Sequence, residues 1–441
     1  MDTQYWKEHP YASVGIMESA EIDFELNGNF TVNGQTVTGG QKAILSNSRL
    51  EWNGQQTTEI IFMPQDDTCS FTLSDVVIGI HFHWERKERQ TFSGSLKLLA
   101  ETNGITAVNI VHIEDYLLSV ISSEMKASAS LEFLKAAAII SRSWLLKQIE
   151  HRRDGNTTAA EGRVDTAEEL VNWNDRADHT LFDVCADDHC QRYQGIQKAT
   201  SATVRQAIQE TRGMILTSGN DICDARFYKC CGGMTEEYQT CWENLRFGYL
   251  SPVRDNVSGP DKIPDLTTET EADRWIRSNP PAYCNTQDRH ILQQVLNDSD
   301  LETMDFYRWT HAYSQQELHA LITKGTGKDL GEILDLQPLE RGKSGRIYRL
   351  RIVGSRQTYT IGKELVIRRV LSTSHLYSSA FVIDKEDIRD GVPQRFVLRG
   401  AGWGHGVGLC QIGAAVMGAQ GYTYDNILRH YYQGANIEKI Y

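Results

Sequence analysis

The 441-residue sequence has no apolar run of the roughly eighteen residues a helix needs to cross a bilayer, so no transmembrane helix is expected. It has no basic excess either. Its 45 Lys and Arg face 58 Asp and Glu for a formal charge of -13, which excludes the nonspecific electrostatic grip of basic proteins on nucleic acid or anionic membrane. A neutral, sugar-like ligand held by local hydrogen bonds stays compatible with that balance. The start, MDTQYWKEHP, shows no basic segment leading into an apolar stretch. Read literally, this favours the cytoplasm. The other reading is a signal peptide cut away and replaced by an initiator Met. Long-period repeats and low-complexity tracts are also missing. What remains is an ordinary globular composition, 40% hydrophobic and 23% charged, with length for two or three domains.

Cysteine is present in an odd number, nine, so pairing within one chain cannot use them all. Five of the nine fall between Cys185 and Cys231, a clustering that suggests a local metal site or local disulfides.

The first hundred residues alternate apolar and polar positions between turn dipeptides. Asn27-Gly28, Asn33-Gly34 and Asn53-Gly54 are hairpin signals, so the stretch is expected to form short antiparallel strands. From Ile113 the period changes, with Tyr116, Val120 and Ile121 at helical spacing. Ser130 is placed to cap a second helix, with Glu132 in its first turn. Leu134, Ala138, Ile140 and Trp144 give that helix a broad apolar face for the core. Residues 151–178 read as a polar surface excursion, and 262–328 as a helix-biased insertion or lid. Strand character then returns before a glycine-rich loop and a final helix pair. The fold class is α+β: a β-rich N-terminal region (1–107), a core with a helical pair and a cysteine/histidine site (108–261), a helical lid-like insertion (262–328), and a C-terminal β/helix region (329–441).

Four segments carry groups suited to chemistry. Glu124 ends an apolar helix, where loss of water would let a carboxyl keep a proton for a leaving group. The plain alternative is a solvated helix-end Glu. His179, Cys185 and Cys190 fall within twelve residues, with His189 beside Cys190, and thiolates with an imidazole at such separations suit tetrahedral zinc. A Cys185–Cys190 disulfide or two reduced thiols remain open. Gln191 and Tyr193, just beyond, would sit on a rigid rim suited to sugar hydroxyls and ring faces. Gly232 and Gly233 precede Thr235 and Glu236, either a ligand-contacting loop or a tight turn. Glycines at 400, 402, 404, 406 and 408 leave Trp403 and His405 as the bulky groups of a bare backbone, for sugar stacking and hydrogen bonding or simply to pin the loop.

These segments carry a resemblance. VISSEMKASASLEFLKAAAIISRSW resembles the signature of the SpoIID/LytB family, in which a Glu-Met pair is followed by a small-residue loop and a helix close to ALKAQAVAARTY. Here the loop has no proline, and Trp144 stands where the family has Tyr. HTLFDVCADDHCQRYQG resembles the family's cysteine motif ending in CQ-x-Y-x-G. FYKCCGGMTEEYQTCWE resembles its Gly-Gly-x-Thr-Glu loop. LRGAGWGHGVGLCQIGAAVMGAQGYTYDNILRHYYQG resembles its C-terminal GWGHGVGMSQWGA block, with Cys410 in place of Ser.

The resemblance implies a lytic transglycosylase of the cell envelope, periplasmic or extracellular if a leader absent from this chain is assumed. Its substrate would be peptidoglycan glycan strands, with Glu124 as the single acid/base carboxylate. It also implies a structural zinc on His179, Cys185 and Cys190, and no organic cofactor. Arg142, eighteen residues after Glu124, would hold or orient that carboxylate. Arg142, Gln191, Tyr193, Thr235, Glu236, Trp403, His405 and Gln411 would contact the glycan, and the glycine-rich loop would face Glu124 across one groove. Two other readings stand beside this one. The first is a non-catalytic glycan-binding module or enhancer of a partner cell-wall amidase. The second is a thiol hydrolase using Cys410 or Cys190 with a neighbouring His.

Overall fold

The computed structural model describes residues 3–79, 85–126, 128–154, 162–173, 179–187, 189–198, 201–256, 264–296 and 304–441. Ala127 of the loop after Glu124 lies outside the described residues, as do 155–161 and 174–178 of the expected excursion and the expected boundary at 261/262. The fold is mixed α+β and rich in strands. The chain divides into two units, one of residues 1–157, 179–222 and 437–441, the other of 158–178 and 223–436. Among the described residues no helix is long and apolar enough to cross a membrane.

The first unit is built on an 11-stranded sheet. Period-two alternation does what pleating requires: along Glu21–Val32, Ile22, Phe24 and Leu26 are buried while their neighbours are exposed. Asn33-Gly34 and Asn53-Gly54 form tight hairpin turns with positive φ at both residues. Asn27-Gly28 does not. It sits inside the Glu21–Val32 strand, where the register slips between Leu26 and Phe30, so the pair makes a bulge and the strand runs on for 12 residues. At one end of the sheet Tyr11–Ser19 lies antiparallel to Ile105–His112 and takes the two-residue strand Val184–Cys185 in parallel on its other side. That pairing fixes Cys185 to a rigid edge.

Two helices follow directly from Ile105–His112. Ile113–Glu124 buries Tyr116, Val120 and Ile121, and Leu131–Arg153 buries Leu134, Ala138, Ile140 and Trp144. Ser130 caps the second, its Oγ accepting the Phe133 N–H at 3.3 Å.

Arg142 faces inward from the second helix and is fully buried. Its Nε and Nη2 donate to the two oxygens of Glu114 at 3.0 and 2.6 Å, and Nη1 donates to the Met214 carbonyl at 2.9 Å. Glu114 also accepts the Tyr441 hydroxyl at 2.7 Å. The expected partnership of Arg142 with Glu124 therefore gives way to one with Glu114, and a guanidinium consumed in the core cannot bind a glycan. Burial works to raise the Glu114 pKa, but the charge and hydrogen bonds of Arg142 outweigh it and hold the carboxyl below its ordinary value.

The second unit contains a five-stranded sheet, a three-stranded sheet and a short parallel pair, Phe227–Tyr228 with Leu409–Cys410. Two of the five strands, Arg163–Asp165 and Glu169–Asn172, come from the stretch expected to be a surface excursion. At three and four residues they are too short to show a period. The expected helical lid holds helices Glu269–Arg277 and Gln315–Thr326 but also strand Arg308–Ser314, which pairs along Val392–Ala401. This segment is built into the unit's sheet and does not stand apart as a helical piece.

Replacing Arg142 by Met leaves Glu114 buried without its cation, and should cost about 3–5 kcal/mol at pH 7 by urea denaturation. The sign follows from linkage. Wild-type stability from the pair is present above the ordinary Glu range and lost as pH falls through the lowered folded pKa. The orphaned carboxyl of the variant is instead relieved by protonation, so the gap should narrow toward pH 4.

Candidate functional site

Glu124 is the last residue of its helix, and Met125 turns the chain into extended backbone. The carboxylate is half-buried, and Oε1 accepts the backbone N–H of Arg192 at 3.3 Å. What places that N–H is the segment 191–195, which is fastened to the helix along its length. Tyr116 donates its hydroxyl to Gln191 Oε1 at 3.1 Å. Ser119 Oγ donates to the Gly195 carbonyl at 2.9 Å and accepts the Gln194 N–H at 3.2 Å. Tyr193 donates to Asn109 Oδ1 at 2.6 Å, its ring stacked on Tyr116 with centroids 5.1 Å apart. Gln191 and Tyr193 are each 1% exposed. They were expected on a rim for sugar, but they are the pegs that hold the rim's backbone.

The same segment begins at a thiol–imidazole cluster. Cys190 Sγ lies 3.4 Å from His179 Nε2 and 3.5 Å from His189 Nδ1, and Cys185 Sγ lies 3.9 Å from the same His189 nitrogen. One atom from each of His179, Cys185, His189 and Cys190 falls within 4.8 Å of the others, a spacing that could hold a metal ion. The two cysteines are not bonded to each other. The Cys190 thiol, and after it the two imidazoles, draw the Cys185 pKa down to about 2, far into the thiolate range that a metal needs. His189 is the member that spacing alone left unassigned. Adjacent residues point apart in extended chain, but a turn closed by the Cys190 N–H on the Asp187 carbonyl brings His189 and Cys190 to one side.

In the second unit the glycine-rich loop is packed against protein at its bare positions. A Cβ on Gly406 would meet the Arg346 guanidinium at 2.5 Å, and one on Gly408 would meet the Arg226 carbonyl at 2.1 Å, both at positive φ. Trp403 is half-buried and stacks on Phe306 at 5.8 Å. His405 packs on Trp242 and Tyr228, and its Nδ1 accepts the Val407 N–H at 3.0 Å, which assigns the ring proton to Nε2.

Thr235, Glu236 and Gln411 are at most 1% exposed. Thr235 Oγ1 accepts the Val253 N–H. Glu236 accepts the N–H groups of Lys343 and Ser344 and the Ser344 hydroxyl, at 2.8, 3.0 and 2.6 Å. Burial raises the Glu236 pKa in spite of these donors. All three were expected at the glycan; Thr235 and Glu236 brace loops inside the unit, and Gln411 begins the buried helix Gln411–Ala419. Glu124 belongs to the first unit, Trp403 and His405 to the second.

An α+β chain with a thiol–imidazole cluster tied to a helix-end carboxylate defines the class, and comparison with known proteins supplies the family. The model described as Stage II sporulation protein matches residues 101–218, which hold Glu124 and the whole cluster. A domain of unknown function (DUF8618) matches 236–408. Stage II sporulation protein D of Bacillus subtilis is 24% identical over 337 residues, 76% of each chain. The amidase enhancer of the same organism is 23% identical over 336 residues, 73% of this chain and 40% of that one. An uncharacterized protein of Brachyspira hyodysenteriae is 27% identical over 387 residues, 86% of this chain and 76% of the other. The matched domain and these relatives support a SpoIID/LytB-family protein.

Burial, with Arg226 and Arg346 adding to it, holds the His405 pKa well below 6.5. His405 is therefore expected to remain a neutral, Nε2-protonated ring from pH 8 to pH 5 by nitrogen-detected NMR. An unfolded histidine takes up a proton near pH 6.5 that the folded ring refuses, so this group makes stability rise with pH. His405→Gln should flatten that part of the profile.

Proposed function

We propose that this protein is a peptidoglycan lytic transglycosylase of the cell envelope, with Glu124 as its one acid/base group. The observation that carries the reading is the hold on Glu124. Its carboxylate ends a buried helix, and one oxygen is fixed by a backbone N–H whose own segment is pinned at four residues. Positioning of this kind is what a proton donor to a bound sugar requires.

In the proposed cycle Glu124 Oε2 gives its proton to the glycosidic oxygen between N-acetylmuramic acid and N-acetylglucosamine as the bond from muramic C1 breaks. The carboxylate then takes the proton of the muramic 6-hydroxyl while O6 bonds to C1. The products are a 1,6-anhydro end and a free 4-hydroxyl, and Glu124 is again protonated. No water is consumed and no second carboxylate is needed, in contrast to hydrolytic glycosidases. Trp403 offers a ring face for sugar within its own unit.

Zinc on His179, Cys185, His189 and Cys190 fits this reading as a structural ion. The donor set is two thiols and two imidazoles at the spacing of a closed tetrahedral site. An ion there would stiffen the turn that leads into 191–195, so its effect on Glu124 would be one of position. The likeness to an amidase enhancer favours a second reading, a glycan-binding partner of a cell-wall amidase that does not use Glu124.

Digestion of purified peptidoglycan followed by mass spectrometry should yield anhydro-muramic ends. Glu124→Gln, with the same volume and no proton to give, should fold normally and lower their release by at least about a hundredfold. Wild-type release from the folded variant would leave the enhancer reading. Cys185→Ser should lose one zinc by elemental analysis and release anhydro ends more slowly than the wild type. A peptide map joining Cys185 to Cys190 would remove the zinc claim.

A further inference from the structure

The second unit contains another group of ligand atoms, drawn from four places in the chain and wholly buried. Cys231, Asp255, Cys284 and Cys410 each offer one atom, all within 4.8 Å of one another. Cys231 Sγ is 3.3 Å from Cys284 Sγ and 3.4 Å from Asp255 Oδ2. None of the three thiols is in a disulfide. In a tetrahedral zinc site with Zn–S bonds of about 2.3 Å, neighbouring sulfurs stand about 3.7 Å apart, so these separations suit one ion at the centre. We propose that Cys231, Asp255, Cys284 and Cys410 form a second, structural zinc site, separate from the cluster at 179–190.

Two of the sulfurs accept backbone N–H groups. Gly233 donates its N–H to Cys231 Sγ at 3.3 Å, and Cys231 donates its own to Cys410 Sγ at 3.3 Å. These donors orient the two sulfurs, as outer hydrogen bonds do for metal ligands. Asp255 is held by the Cys284 N–H on Oδ2 at 2.9 Å and by the Tyr431 hydroxyl on Oδ1 at 2.7 Å. Three thiolates and a carboxylate carry four negative charges against the two of a zinc ion. Arg346 lies alongside to offset part of the rest, donating to the Cys231 carbonyl at 3.4 Å.

Three thiols select a soft ion over magnesium or calcium. Four protein ligands leave no open position, which makes the site structural. It would tie the end of the glycine-rich loop, at Cys410, to the Cys230–Gly233 turn and to the segment at Cys284. The thiol of Cys410, a poor stand-in for a serine hydroxyl, then has a use of its own.

The test uses the full chain, expressed with added zinc and purified under a phosphine reductant. Elemental analysis is expected to find two zinc ions per wild-type chain, one in Cys185→Ser, and one in each of Cys410→Ser and Asp255→Asn. Zinc X-ray absorption on Cys185→Ser, whose four buried ligands are untouched, should show sulfur at about 2.3 Å and no imidazole scattering. That measurement stands even if the Cys410 or Asp255 variants do not fold. A metal-free Cys185→Ser chain would overturn the proposal. So would an imidazole in its zinc shell, or a Cys231–Cys284 disulfide in the metal-free chain. A wild-type chain whose single zinc survives Cys185→Ser would support the buried site and remove the zinc assigned to 179–190.

Discussion

A buried guanidinium has to be answered by charge and by hydrogen-bond acceptors, and the first unit is organised around one such answer. Arg142 ties its own helix to Glu114 in the first turn of the helix that carries Glu124, and to the Met214 carbonyl. Glu114 in turn receives Tyr441 from the C-terminus and the Gly213 N–H. Glu124 sits ten residues along from Glu114 on a helix whose start is thus fixed by charge and whose side is packed into the core. A pair of this kind contributes less to net stability than to geometry, since burying both ions costs much of what their attraction returns. Here the geometry it sets is the direction in which the helix delivers its last residue.

The other end of that geometry is backbone. The donor to Glu124 is an amide N–H, which any substitution but proline at position 192 leaves in place, and its position depends on neighbours that never face solvent. Tyr116, Ser119, Asn109, Gln191 and Tyr193 do for this segment what a ring of supporting hydrogen bonds does around a metal ligand. The thiol–imidazole cluster sits just before the segment, so metal binding and carboxylate placement share one short stretch of chain.

Motif membership marked several residues that turn out to serve the fold. Thr235, Glu236 and Gln411 lie in short strings rich in glycine and polar groups, which read as ligand-facing because exposure cannot be read from a string. Their burial comes from residues more than a hundred positions away in the case of Glu236, whose partners are at 343 and 344. The loop glycines show the same inversion. Backbone came close to something, as their absence of side chains implied, but what approaches Gly406 and Gly408 is Arg346 and the Arg226 carbonyl.

Local chemistry was legible wherever a signal fits within about ten residues: the alternating strands, two of three Asn-Gly turns, the Ser130 cap, the helix ending at Glu124, and the gathering of His179, Cys185 and Cys190. These follow from φ preferences, side-chain period and turn closure, which neighbours along the chain decide. Tertiary structure alone decided that Arg142 answers Glu114, that an Arg192 amide meets Glu124, and that the strands at 163–172 join a sheet with 333–362. It also decided that Cys231, Asp255, Cys284 and Cys410 meet. Each of those is a pairing of groups far apart in sequence. No local preference favours them, and their free energy is realised only when the rest of the core has brought the partners together and excluded water from between them.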